Sequence, residues 1–423
     1  MRYRHISIAI PTLAELENLP DLVETLKHQS FGNFTAYFCV NNPEGWDNDG
    51  DDSHRAMYLN NQVSIEYLSN VQDNNVASKS TSTKGSSHFV VIDRSSKGCG
   101  WTGKQGGVGW ARKVILDTIA ENSDDNELIV SLDADTSFAL GYLQCVVDTM
   151  NAHPDNSALC VPYYHPLSGD EDSDRAALRY EIYMRHYLIN LLEIADQTAH
   201  HYSSLNIHCP YFPYAFTALG SAMVFPLWAY RNAGGITPLQ GGEDFYLMQK
   251  FAKTGSVLLS CDERVSPQGR PSLRVPFGTG PAVAKGVGFI NSAYPLYPAE
   301  GFRSVSDTYA LFPTLFEGDT ETPMSCFLRQ QLKTDDLWGP LRKNFKTREL
   351  FIHACQERVD GLRILQYLKR YPLRNAEDEL RLFCNDRNIP LPDTFDFTTS
   401  PISVINSLRD TLFDREMTLR HRH

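Results

Sequence analysis

Two rhythms of apolar and polar positions alternate over the first 160 residues. An apolar run from His5 to Ile10 is followed by Leu19, Leu22, Val23 and Leu26 at the spacing of one helical face. Further apolar runs cover Phe34 to Val40, His88 to Asp93 and Leu128 to Leu132, and the last two flank a helical face of Val108, Ala111, Ile115 and Ile119. Strands and helices in this order predict a mainly parallel α/β sheet. Ligands of such sheets bind beyond the carboxyl ends of the strands, which are here Pro11, Asn41, Asp93 and Asp133.

Residues 43–87 interrupt the rhythm. They are rich in Asn, Asp, Ser and Gly, with one short strand expected at Val63 to Leu68, and read as a long mobile insertion. Asp47 to Asp52 place acids at alternate positions like a calcium loop. Asp52 stands where the turn glycine belongs, however, and Tyr58 where the bidentate glutamate does, so a solvated turn is expected.

Further along, Tyr180, Met184, Tyr187, Leu188, Leu191 and Ala195 predict one face of a helix within 175–195. A strand is expected at Gly220 to Pro226, then a short helix ending at Gly234-Gly235, then a helix from Glu243 to Lys253 stopped by Gly255. Residues 266–290 hold several Gly and Pro and read as a loop able to close over a ligand. Beyond about residue 300 the periodicity is helical: Leu350 to Val359, Gly361 to Tyr371, Ala376 to Asn388 and Ile402 to Phe413. The expected organisation is a catalytic domain over 1–290 and a mainly helical extension over 291–423.

Composition narrows the partners. Lys and Arg number 39 against 51 Asp and Glu, a net charge of −12, which disfavours nucleic acid. Nine cysteines without a CxxC pair read as reduced residues of a cytoplasmic protein. The N-terminal apolar stretch is too short for a signal peptide, and no run approaches 18 apolar residues, so no transmembrane segment is expected; peripheral membrane contact stays open.

Two motifs carry candidate chemistry. In SLDADT, residues 131–136, an apolar run leads into Asp133 and Asp135, which can share Mg²⁺ or Mn²⁺ with the phosphates of a substrate, or alternatively cap the next helix. In GGEDF, residues 241–245, Glu243 and Asp244 open a helix, where acids also complement the dipole. The glycines before them would let a substrate close on the backbone, and a carboxylate there is suited to accepting a hydroxyl proton. GCGWTGKQ, residues 98–105, overlaps both the dinucleotide and the P-loop glycine patterns. It lacks the P-loop Ser or Thr and starts five residues after Asp93, so a flexible glycine loop leading to Arg112 and Lys113 is the better reading.

Taken together these blocks resemble the family 2 glycosyltransferases of the GT-A fold. SIAIPTLAELENLPDLVETLKHQS matches the family's first strand and helix through Pro11, Glu15, Asn18, Leu19 and Gln29, and FCVNNPEG resembles the nucleoside site at Asn41 and Asn42. GVGWARKVILD matches at Ala111 and Arg112, SLDADT matches the DxD motif, and residues 220–255 follow the acceptor-side block ending in Glu-Asp. The resemblance covers residues 5–275 and not the C-terminal third. Leu13 and Ala14 replace the usual Tyr and Asn, Asn41 and Asn42 replace acids, and Lys113 replaces an Asn. SPQGR, Ser266 to Arg270, occupies the region where some relatives place a further metal ligand, and the QxxRW motif of processive polymerases is missing.

The resemblance implies a Rossmann-like mixed sheet flanked by helices and an inverting, non-processive transfer from a UDP- or GDP-sugar to a hydroxyl acceptor of unknown identity. It makes Asp244 the base, with Glu243 orienting it or binding the acceptor. Asp135 and Asp133 hold Mg²⁺ or Mn²⁺, and Pro11, Glu15, Asn41, Asn42, Asp93, Arg112 and Asp133 bind the donor. Two rival readings are a sugar nucleotidyltransferase and a noncatalytic nucleotide-sugar binding or scaffold protein. The first would carry a Gly-rich, Arg-containing loop after the first strand, and Pro11 to Asn18 has neither residue.

Overall fold

The computed structural model describes residues 2–77, 87–207, 212–272, 278–287 and 296–422. The chain runs β1 (Ile6–Thr12), α1 (Leu19–Lys27), β2 (Phe34–Asn41), α2 (Asp52–Ala77), β3 (His88–Arg94), α3 (Val108–Asn122), β4 (Leu128–Ser131), β5 (Thr136–Phe138), α4 (Tyr142–Ala152), β6 (Ala158–Cys160) and α5 (Glu171–Ser204). It continues through β7 (Met223–Pro226), α6 (Leu227–Asn232), α7 (Glu243–Thr254), β8 (Val257–Leu258), β9 (Val265–Pro267) and α8 (Thr279–Gly286). Seven helices complete it: α9 (Ala299–Leu315), α10 (Ser325–Leu332), α11 (Gly339–Asn344), α12 (Arg348–Arg358), α13 (Gly361–Leu368), α14 (Ala376–Asp386) and α15 (Ile402–Arg420).

The chain divides into two compact units, one of Met1–Ser173 with Ala218–Lys285 and one of Asp174–Thr217 with Gly286–His423. This differs from the continuous 1–290 span expected from the sequence. Most of α5 belongs with the C-terminal helices, because its inward face carries Glu181 and Arg185, whose partners lie in α15.

The first unit is built on a seven-stranded mixed sheet in the order β3-β2-β1-β4-β7-β6-β8, the Rossmann-like architecture flanked by helices that the resemblance implies. β1 lies parallel to β2 and to β4, and β2 parallel to β3, while β7 runs antiparallel to both β4 and β6. Every residue of β1 is buried, as an interior strand of a sheet covered on both faces requires. Leu19, Leu22, Val23 and Leu26 of α1 and Ala111, Ile115 and Ile119 of α3 bury the faces read from the sequence. Each Leu, Val or Ile among them contributes about 1.5–3 kcal/mol on full burial. After β3 the chain crosses back to pair β4 with β1. The carboxyl ends of these two strands therefore flank a topological switch point, where α/β sheets bind ligands.

Residues 52–77 correct an expectation: they form the helix α2, without the strand expected at Val63 to Leu68. Leu59 and Val63 face solvent, and the positions turned inward are Asn61, Ser64 and Leu68. A helix whose buried face is largely polar gives no apolar stripe to read. Its start lies at the acidic run, where Asp51 Oδ1 accepts the N–H groups of Ser53 at 2.8 Å and His54 at 3.3 Å, so the acids form a helix-starting turn. Residues 78–86 of the expected insertion lie outside the described residues. So does part of the loop expected over 266–290, within which β9 and α8 are formed.

Candidate functional site

Beyond the ends of β1 and β4 lies a cavity of about 230 Å³, lined by Pro11, Glu15, Asn41, Arg112, Asp133 and Asp135, with Glu243, Asp244, Gln268 and Arg270 on its other walls. Asp133 follows β4 by two residues, and Asp135 immediately precedes β5. Glu243 and Asp244 form the first turn of α7, entered through Gly242 at φ 75°, a left-handed conformation that glycine adopts without strain. Four carboxylates separated by more than a hundred residues of chain thus face one space.

Arg112 ties the two pairs together. Its side chain is buried, Nη2 donates to Asp133 Oδ1 at 2.7 Å, and Nη1 donates to Glu243 Oε1. Gly220 makes room for it, since a Cβ there would stand 2.5 Å from Nη2. Ser131 holds that glycine by donating to its carbonyl at 2.7 Å. Burial works against the Arg112 charge, and the carboxylates of Glu243, Asp133 and Asp244 outweigh it.

Electrostatics separate the two acids of α7. Burial, and then the neighbouring Glu243 charge, push the half-buried Asp244 carboxyl up to about 7. Burial raises Glu243 as well, against the pull of Arg112. With Glu243 in direct contact with the guanidinium and Asp244 accepting the near backbone N–H of Phe245, at 2.7 Å, Asp244 is the group that takes up a proton first. A carboxyl poised near neutrality at a cavity wall can accept a proton from a hydroxyl.

The opposite wall was less visible in the sequence. Arg270 Nη2 lies 3.2 Å from Asp135 Oδ2 and also bonds Glu15 Oε1. Asn18 donates to Glu15 Oε2 at 2.5 Å and accepts from Gln268 at 3.0 Å. The antiparallel pairing of β5 with β9, Thr136 opposite Pro267, brings Arg270 to Asp135 across the chain. The one sequence signal is that SPQGR falls in the region where some members of the family it resembles place a further metal ligand. Asn61 of α2 was not foreseen either: its Nδ2 donates to Asn41 O at 3.0 Å and its Oδ1 accepts the N–H of Ala14 at 2.8 Å, clamping the ends of β1 and β2.

Of the residues expected around the donor, Pro11, Glu15, Asn41, Arg112 and Asp133 line the cavity, and Asn42 and Asp93 do not. Asn42 Oδ1 accepts from Asn61 at 2.9 Å and from Ser95. Asp93 Oδ1 accepts the N–H groups of Ser95 and Ser96, both at 2.8 Å, and turns the chain out of β3. Both side chains are occupied in holding loops. Asn41 itself accepts from Trp101 Nε1 at 3.0 Å and donates to Thr12 O at 2.9 Å. The glycine loop at 98–100 cradles an anion from its own chain, with Gly98 and Gly100 N–H groups each 2.9 Å from the Glu44 carboxylate.

The donor set fits a divalent cation shared with a ligand. Five carboxylates (Glu15, Asp133, Asp135, Glu243 and Asp244) face two guanidiniums (Arg112 and Arg270), an excess of negative charge that a divalent cation would offset. Among the described residues no group of three His, Cys, Asp or Glu forms a closed metal cage. Two carboxylates with phosphate oxygens suffice for Mg²⁺ or Mn²⁺.

No protein family matches the chain, and no curated protein does. Among solved structures it is similar to Staphylococcus aureus TarS residues 1–349 in complex with UDP-GlcNAc, at 12% identity, covering 99% of this chain and 90% of that one, with a TM-score of 0.36. It is also similar to the mannosyltransferase PcManGT from Pyrobaculum calidifontis in complex with GDP-Man and Mn²⁺, at 11% identity, covering 98% and 86%, with a TM-score of 0.35. No described helix is long and apolar enough to cross a membrane.

Proposed function

We propose that this chain is a metal-dependent, inverting glycosyltransferase of family 2 type that moves a single sugar per encounter from a UDP- or GDP-sugar to an acceptor hydroxyl. The observation that carries this reading is the meeting of Asp133 and Asp135 with Glu243 and Asp244 in one cavity at the switch point, bridged by Arg112. The two pairs have the separate roles that such a transfer needs, one beside the leaving diphosphate and one beneath the attacking oxygen.

Asp133 and Asp135 would hold Mg²⁺ or Mn²⁺, which as a Lewis acid offsets the charge that develops on the departing nucleoside diphosphate. Asp244 takes the acceptor hydroxyl's proton as that oxygen attacks the anomeric carbon from the face opposite the leaving group. Glu243, pinned by Arg112, fixes the start of α7 and keeps a second charge next to Asp244, which sustains its basicity. Arg112 links Asp133 to Glu243, the neighbour of the base in sequence. Pro11, Glu15 and Asn41 form the wall on the nucleoside side.

The reading is tested with a panel of UDP-, GDP- and CDP-sugars and Mn²⁺. Transfer or donor hydrolysis supports it, pyrophosphate exchange would instead indicate a nucleotidyltransferase, and binding without turnover a scaffold. Asp244→Asn is expected to leave the donor-induced thermal shift in place and to lower turnover by about 10²-fold or more, the range for a general base. Substantial remaining turnover would remove Asp244 from the base role.

A further inference from the structure

Glu15 and Asp135 are both largely withdrawn from solvent, with side chains 8% and 18% exposed, and they come from loops more than a hundred residues apart. Two such carboxylates are costly to bury without a cation between them. In the ligand-free chain Arg270 is such a cation. One nitrogen, Nη2, serves both carboxylates, and among the described residues Nε of the same guanidinium is buried with no hydrogen-bond partner. The guanidinium thus joins two acids from different loops through one nitrogen, and its side chain keeps 34% of its surface exposed at the cavity wall.

The geometry points to Arg270 as a built-in counter-ion that occupies the cation position at Asp135 in the empty site and has to leave it for a divalent cation to bind. This rests on the reading of Asp135 as a cation ligand. The β5–β9 pairing fixes where Arg270 starts from, and Gln268, hydrogen-bonded to Asn18, anchors its loop at the β1 side. A guanidinium beside this carboxylate repels a divalent ion and takes up part of the carboxylate's lone-pair capacity, so each lowers the other's occupancy. Cation binding in the empty chain is thereby weak, and the acidic cleft is not left with its negative charge uncompensated when no donor is present.

The experiment measures Mn²⁺ affinity of the full chain without donor, by electron paramagnetic resonance of the free ion, for wild type, Arg270→Gln, Arg270→Lys and Asp135→Asn. Arg270→Gln is expected to bind Mn²⁺ roughly tenfold more tightly, as when a site competent about one-tenth of the time becomes fully competent. Arg270→Lys, which keeps the charge, should lie between. Equal or weaker binding in Arg270→Gln, together with loss in Asp135→Asn, overturns the counter-ion role and leaves the metal reading standing. Unchanged binding in Asp135→Asn overturns both. Wild-type protein gives a check that needs no variant: Mn²⁺ should speed phenylglyoxal modification of Arg270, and an unchanged or slower rate refutes the displacement.

Discussion

At the scale of single residues, the environment of Asp244 makes two pH predictions with one cause. Its carboxyl is held near 7, well above the ordinary 3.8, so turnover should rise with pH through about 7 as the base ionises, and then level off. Stability moves the other way. Between about pH 4 and 7 the folded chain holds a proton at Asp244 that the unfolded chain has lost, so this group's contribution is complete below pH 4 and disappears as pH rises through 7. Asp244→Asn removes the titration, so its melting temperature should gain on wild type across that window and stay ahead above it. Parallel melting curves from pH 4 to 9 would show that the buried charge is not Asp244. That Asp133, Asp135, Glu243 and Asp244 could be singled out beforehand follows from local chemistry: an apolar run ending in acids, and glycines followed by acids, are visible in a few adjacent letters. Arg270 and Asn61 have no such neighbourhood. Their parts are set by strand pairing and by a helix face, both non-local.

At the scale of elements, the strands and helices that bury an apolar face could be read directly, as β1, β2, β4, α1 and α3 show. What stayed hidden was α2, whose inward Asn61 and Ser64 are polar while Leu59 and Val63 face out. The two-residue and three-residue strands β5, β6, β8 and β9 were equally hidden, being too short to display a period. The same elements show how tightly the site is framed. Gly109, in the first turn of α3, lies so close to the segment before α7 that a Cβ would stand 2.0 Å from the carbonyl oxygen of Leu239. That neighbour is backbone and has no rotamer in which to move away. Gly109→Ala should therefore cost about 1–3 kcal/mol by overpacking. It should also disturb the register of Arg112, three residues on, with the Glu243 carboxylate. A urea midpoint equal to wild type with undiminished donor binding would show that α3 and the 239–242 segment are not packed against each other as described.

At the scale of the whole molecule, the chain enters its second unit twice, first through α5 and again after residue 286, and buried charge joins the two visits. Glu181 and Arg185 of α5 meet Arg409, Glu416 and Arg420 of α15: Arg185 Nη1 lies 2.6 Å from Glu416 Oε2, Arg409 Nη1 3.2 Å from Glu181 Oε2, and Arg420 Nε 2.6 Å from Glu416 Oε1. All five side chains are almost fully buried, so none can recover hydration if a partner is lost. Glu416, like Glu181, answers two arginines, so its removal leaves two buried cations short of a partner. Glu416→Ala should destabilise by about 3–5 kcal/mol, whereas Asp196→Ala, which breaks a more exposed pair with Arg422, should cost less than about 1 kcal/mol. Native-state hydrogen exchange distinguishes this from a general loss of stability: in Glu416→Ala the amides of α5 and α15 should lose more protection than those of β1 and β4. Equal losses in both sets of amides, or a cost for Glu416→Ala no larger than that for Asp196→Ala, would mean that the buried charges are not what holds these helices together.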